Sequence, residues 1–193
     1  MLHHSAQSGR HPLSERGADF YSTPPEAVHA LLRVETLPKN IWEPCAGDGA
    51  IAGVLRAHGH DVYASDLHDW NAMHVRSGVD FLKEMTAPIG FTTIVTNPPF
   101  ALAEEFVAHA LKLVPRAVML LRLAFLEPER RSPLLDRGLL ARVHVFRNRL
   151  PMIHRHGWAG PRASSSAIPF CWFVFDRSHH GPTILDRISW RAP

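Results

Sequence analysis

The sequence predicts an α/β domain: a mostly parallel sheet with helices on both faces and an antiparallel hairpin at the sheet edge. Three observations carry this. Strand-like and helix-like segments alternate from residue 24 onward, the pattern of a parallel sheet covered on both sides. The two late strand-like runs, Arg142 to Phe146 and Phe170 to Phe175, have no helical pattern between them, which favours antiparallel pairing. With 193 residues, 46% of them apolar, the chain has enough material for a buried core.

Each element has a local cause. Residues 1–18 are polar, His-rich and aperiodic and read as a flexible arm, leaving 19–193 as a single domain. Pro24 and Pro25 open a helix running to Leu32, with Thr23 or Ser22 as its cap. Asn40 to Glu43 is a short strand, followed by a glycine-rich turn and a helix from Ala50 to about His58 that Gly59 closes. Asp61 to Ser65 forms a strand ending at Asp66, and Thr92 to Thr96 another ending at Asn97. Ala103, Phe106, Val107, Ala110, Leu111 and Val114 fall on one face of a 3.6-residue helix. Ala117 to Leu121 reads as a buried strand and Pro128 to Leu140 as a helix. The segment His154 to Ser166, rich in Gly, Ser, Arg and His, is a long loop of the kind that often carries function.

Composition narrows the function classes. No apolar run reaches the roughly 18–20 residues of a membrane span, and Arg122 interrupts the longest, Ala117 to Leu126. The N-terminus lacks the apolar stretch of a secretory signal, so a cytoplasmic protein is expected. Cys45 and Cys171 are the two cysteines, too few for a disulfide framework or a four-thiolate zinc site, and His154-x-His156 lacks a nearby third ligand, so no metal is expected. Residues 1–115 carry a net charge of −5 and residues 116–193 of +8, the latter from 13 Arg and no Lys. Guanidinium forks suit phosphates, so the C-terminal part points to nucleic acid. Arg147 and Arg149, with His154, Arg155 and Arg162 in the long loop, are the candidate phosphate contacts, and Phe170 at a strand entrance is a candidate base clasp.

Two motifs carry chemistry. In Glu43-Pro44-Cys45-Ala46-Gly47-Asp48-Gly49, glycine between a strand and a helix lets backbone approach a ligand. Position 52 is alanine, so the third glycine of a dinucleotide fingerprint is missing, and no Gly-Lys-Ser/Thr follows. Glu43 and Asp48 would repel a pyrophosphate and suit a cationic ligand, and Asp66, at the next strand end, is placed to accept both hydroxyls of a ribose. An adenosine with a positively charged tail fits this set. In Thr96-Asn97-Pro98-Pro99-Phe100, two prolines remove two backbone donors and fix two φ angles. The Asn97 amide and the Pro98 carbonyl are then rigid acceptors for a planar NH₂ group, with the Phe100 ring to stack on its plane.

With these residues the sequence resembles the S-adenosylmethionine-dependent amino methyltransferases, specifically the N6-adenine DNA methyltransferases, over residues 19–126. The resemblance implies a Rossmann-like class I methyltransferase fold and S-adenosylmethionine as cofactor. Tyr21 and Thr23, in Phe20-Tyr21-Ser22-Thr23-Pro24, look like the segment contacting the methionine end of the cofactor, with Thr23 on its carboxylate. Glu43 to Gly49 resembles the cofactor loop, Asp66 the ribose acid, Asp80-Phe81 the pair flanking the adenine, and Asn97, Pro98, Pro99 and Phe100 the catalytic motif. The motif order is similar to the gamma arrangement. Such enzymes usually carry a separate target-recognition domain, whereas about 67 residues follow Leu126 here, the size of a compact phage or prophage-type enzyme.

The implied reaction is methylation of the exocyclic N6 of adenine in DNA, with the base flipped out of a duplex. The same chemistry on RNA adenine or on a protein glutamine amide is an alternative; the basic tail disfavours protein but does not separate DNA from RNA. A non-catalytic nucleic-acid-binding protein with the same fold is a further alternative, against which Asp66 and an intact Asn97 to Phe100 both argue.

Overall fold

The computed structural model describes residues 21–152 and 168–191. The N-terminal arm with Phe20, and the loop with His154, Arg155 and Arg162, lie outside the described residues. Strands β1 (Asn40–Glu43), β2 (Asp61–Ser65), β3 (Val75–Arg76), β4 (Thr93–Thr96), β5 (Arg116–Arg122), β6 (Leu140–Phe146), β7 (Phe170–Asp176) and β8 (Ile184–Ile188) form one sheet in the order β3-β2-β1-β4-β5-β7-β6-β8. β7 runs antiparallel to both β5 and β6, and every other pairing is parallel.

Alternation along the strands divides the core in two. Helices α1 (Pro25–Leu32) and α2 (Ala50–Ala57) cover one face, where Ile41, Val95, Val118, Leu120, Trp172 and Val174 point. Helix α3 (Ala103–Leu113) covers the other, against Trp42, Ile94, Met119, Leu121, Phe173 and Phe175. The buried stripe of α3 is the one its spacing predicts: Ala103, Phe106, Val107, Ala110 and Leu111. At Ala52, where a dinucleotide fingerprint has glycine, the methyl group packs with Ala46 and Ala64, so three small side chains still let α2 lie close to the sheet.

Four expectations change. No side chain caps α1; its N-cap is Pro24, and Thr23 bonds elsewhere. Pro128 to Leu140 is not one helix. It is a 3₁₀ turn at Glu129–Arg131, the four-residue α4 (Ser132–Leu135) and a turn, with Leu140 already in β6. Pro133 lies inside this stretch and Gly138 adopts φ +74°, so a helix cannot run through it. Beyond the antiparallel β6–β7 pair, β8 adds an edge strand whose pattern of exposure, four exposed residues then a buried Ile188, hides it from a search for alternation. The two-residue β3 is likewise too short to announce itself.

Candidate functional site

β1 and β4 are neighbours, and the chain leaves β1 for the α2 face and β4 for the α3 face. Such a point, at the carboxyl ends of parallel strands, opens a crevice in the sheet. A cavity of about 320 Å³ lies there, lined by Glu43 and the loop after β1, Asp66 after β2, Asp80 and Phe81, and Asn97 to Phe100 after β4. The four segments are brought together from across almost 60 residues of chain, Glu43 to Phe100, by the sheet order.

The loop after β1 is held by its glycines and by Asp66. Gly47 (φ +54°) and Gly49 (φ +80°) take left-handed conformations, and Gly49 is the N-cap of α2. Neither lines the cavity; they shape it, while Pro44, Cys45 and Asp48 line it. The Gly47 N–H donates to Asp66 Oδ2 (2.9 Å), and Asp66 Oδ1 accepts from the His68 N–H (2.8 Å) and the Trp70 indole (3.0 Å). A carboxylate has roughly four acceptor positions, so Asp66 as placed retains about one. His68 and Trp70 line the cavity and were missed by sequence reasoning; an aromatic residue four positions after a strand-end acid was the available signal.

Glu43 departs from expectation in charge. It is 1% exposed, and burial pushes its pKa well above the ordinary carboxylate range, against the opposing pull of the Ala52 N–H and Arg56. Its Oε2 has no hydrogen-bond partner. Burial of this kind works against the ionised form, and Asp48, Asp66 and Asp80 are the other carboxylates that line the cavity. Burial, reinforced by Asp66, Glu43 and Asp80, also raises the Cys45 thiol well above its usual value, so Cys45 is not an activated nucleophile. Asp80 caps the 3₁₀ turn Phe81–Lys83 by accepting from the Leu82 N–H (3.2 Å), and it pairs with Lys83. Phe81 is buried edge-on against Trp42 and presents to the cavity only part of its ring.

At the opposite wall, Asn97 Nδ2 donates to Thr23 Oγ1 (3.1 Å) and to the Tyr21 carbonyl (3.4 Å). A carbonyl only accepts, so this contact fixes which way the amide faces. Asn97 Oδ1 is left buried with no partner. The two prolines after it supply no N–H. Phe100 is half-buried, with Tyr21 stacked at 5.9 Å, Phe170 at 5.4 Å and the Arg122 guanidinium 4.5 Å from its centroid. Phe170 is 4% exposed and does not line the cavity; it backs Phe100 rather than clasping a base itself. Arg147 and Arg149 lie at the same end of the sheet beyond β6, outside this cavity.

No protein-family model matches the chain, and no curated protein matches it. Solved structures do. A class I S-adenosylmethionine-dependent methyltransferase, so assigned, from Listeria monocytogenes superposes with TM-score 0.63 at 12% identity, over 92% of this chain and 69% of that one. The methyltransferase subunit of a type I restriction-modification system from Streptococcus thermophilus gives 0.60 at 13% identity, over 90% of this chain and 48% of that one. A Pyrococcus horikoshii protein assigned as an RNA methyltransferase gives 0.61 at 13%, over 82% and 87%. The chain has the Rossmann-like methyltransferase fold. It spans about half the length of the restriction-modification subunit. The cavity between β1 and β4 lies at the carboxyl ends of these adjacent parallel strands. Among the described residues no helix is long and apolar enough to cross a membrane, and no group of three or more His, Cys, Asp or Glu is arranged to hold a metal ion.

Proposed function

We propose that this protein transfers the methyl group of S-adenosylmethionine to the exocyclic N6 of adenine in DNA. The observation that carries the reading is Asn97 Oδ1: a buried acceptor without a partner, in a cavity whose other walls carry carboxylates suited to an adenosine with a cationic tail. An unsatisfied buried acceptor costs about 1–3 kcal/mol, and an amino group set against it recovers that. The fit to the cofactor rests on Asp66, which keeps an acceptor for a ribose hydroxyl, on Thr23, whose hydroxyl proton is not used by its bond to Asn97, and on Asp48 and Asp80.

When bound, the cofactor supplies an activated methyl group on a sulfonium. Asn97 Oδ1 and the Pro98 carbonyl accept hydrogen bonds from the adenine amino group and draw its nitrogen toward tetrahedral character, directing the lone pair at the methyl carbon. The Thr23 and Tyr21 contacts hold the Asn97 amide in that orientation before substrate arrives. Phe100, supported by Phe170, offers its ring to the base plane, while Tyr21 stacks beside it. Transfer from the sulfonium would leave an extra proton on N6, which would pass to water, so no strongly basic side chain of this chain would be required.

Transfer of tritiated methyl groups to duplex DNA, single-stranded DNA, RNA and protein tests this, with product analysis for N6-methyladenine. Labelled adenine in DNA is the expected product; label in RNA alone or in protein alone rejects the DNA reading. Asp66→Ala is expected to weaken cofactor binding at least tenfold, because it removes a charged acceptor worth about 1.5–3 kcal/mol and releases the loop at Gly47. Calorimetry showing tight binding of a nicotinamide dinucleotide and none of S-adenosylmethionine overturns the cofactor.

A further inference from the structure

The fold sorts the arginines by the end of the sheet they occupy. Arg116 and Arg142, at the amino ends of β5 and β6, both pair with buried Glu35. Arg130 and Arg131 pair with Glu104 of α3. At the carboxyl end, Arg122 closes β5, Arg147 and Arg149 follow β6, and Arg191 follows β8. Among the described residues none of these four has a carboxylate partner.

Arg122 lies over the Phe100 ring, at the rim of the candidate active site. Arg147 and Arg191 line a second cleft, of about 280 Å³, together with Arg33 and Arg187, between the end of α1 and the ends of β6 and β8. Its lining contains one acid, Asp186, which lies 3.8 Å from His144 Nδ1. The walls are fixed by hydrogen bonds: the Trp190 indole donates to the Asn148 and Arg149 carbonyls, each at 3.1 Å, and the Arg147 N–H to the Ile188 carbonyl at 2.9 Å. Arg33 donates to the Ser189 carbonyl across the cleft. Four cations against one carboxylate repel one another, and an anion seated among them relieves the repulsion.

The two sites are related by the sheet. From β4 to β8 there are four interstrand steps, about 19 Å at about 4.8 Å each. Helix α1 makes the same connection, starting near Thr23 in the first cavity and ending near Arg33 in the second, about 15 Å at about 1.5 Å per residue.

We propose that these carboxyl-end arginines form a track for the sugar-phosphate backbone of the DNA that carries the target adenine, ending in the Arg33, Arg147 and Arg191 cleft. The track rests on the DNA reading above. Its reach of about 19 Å corresponds to five or six nucleotides from the target, at about 3.4 Å of duplex axis each. It supplies affinity and register without reading bases.

Fluorescence anisotropy at several salt concentrations, on duplexes of about 6 and about 14 base pairs, tests the track with the double variant Arg147→Ala/Arg191→Ala, the matching double Lys variant, and thermal melting to show that both fold. The wild-type protein is expected to bind the longer duplex about tenfold more tightly. The Ala variant loses that gain and about two units of log–log salt slope, and the Lys variant keeps most of both. An Ala variant with the wild-type slope and length dependence overturns the track, and if the wild-type protein still methylates DNA adenine the proposed function survives it. Arginine-dependent binding of DNA by a protein that methylates no adenine has the reverse meaning: the surface stands and the reaction falls. Arginine-dependent binding of RNA alone overturns the choice of DNA.

Discussion

The Asn97 amide is anchored through its nitrogen and unpartnered at its oxygen, so its removal separates two functions. Asn97→Ala is expected to lower turnover at least about 100-fold and to leave S-adenosylmethionine affinity within a few-fold, because the lost interaction strengthens in the transition state. Single-turnover kinetics beside calorimetry measures both, and equal losses would place Asn97 in the cofactor site instead. Glu43 makes the opposite kind of prediction. Its folded pKa is raised by burial, so the stability it permits is complete below about pH 4.5 and declines as pH rises toward the folded value. Glu43→Gln removes that decline: relative to wild type, the variant should gain melting temperature between acid and alkaline buffer, and a constant difference would mean the carboxyl is ionised in the fold. The acidic character of Glu43 was legible in the sequence. The rise of its pKa was not, because it depends on burial by residues far along the chain.

At the scale of elements, α1 matters beyond its eight residues. It roofs the sheet next to Asn97, and the buried Trp172 indole on β7 donates to the Ala27 carbonyl at 2.9 Å. Trp172→Phe removes this bond between β7 and α1, leaving the Ala27 carbonyl only its helical partner, and opens a void, and should cost about 1–3 kcal/mol in urea unfolding. A cost near zero would show that α1 is not fastened by this bond. Elements with a strong local signal could be read in advance: α3 from its apolar spacing, α2 from the turn before it and Gly59, at φ +86°, after it. The stretch from 128 to 140 misled because leucines following an opening proline imitate a helix despite Pro133, while β8 is an exposed edge strand that only pairing with β6 reveals.

Across the whole molecule, Glu35 joins the turn after α1 to two distant strands. Its carboxylate accepts from Arg116, Arg142 and His144, residues separated from it by 81, 107 and 109 positions. Burial alone would raise its pKa; hydrogen bonds from His144 and Arg142, with the charges of Arg142 and Arg116, prevail and hold it at about 2. Against an unfolded value of 4.5, the cluster contributes about 3 kcal/mol that is present above about pH 4.5 and lost as pH falls toward about 2. Denaturant titrations across that range should show the loss. Glu35→Gln should flatten the acid limb and destabilise the protein by about 3–5 kcal/mol at neutral pH, since both arginines lose their counter-charge; an unchanged acid limb would place the titrating group elsewhere.

By itself the sequence determined the layered α/β class, the strand ends that carry Glu43, Asp66 and Asn97, and the basic bias after residue 115, because periodicity, turn chemistry and composition act over a few neighbouring residues. Tertiary structure alone decided which arginines are neutralised by Glu35 and Glu104 and which, among the described residues, have no carboxylate partner at the carboxyl end, that Asp66 is already largely engaged, and that one oxygen of Asn97 is left without a partner. Those outcomes depend on sheet order and on contacts between residues far apart in the chain, where neither spacing nor propensity carries information.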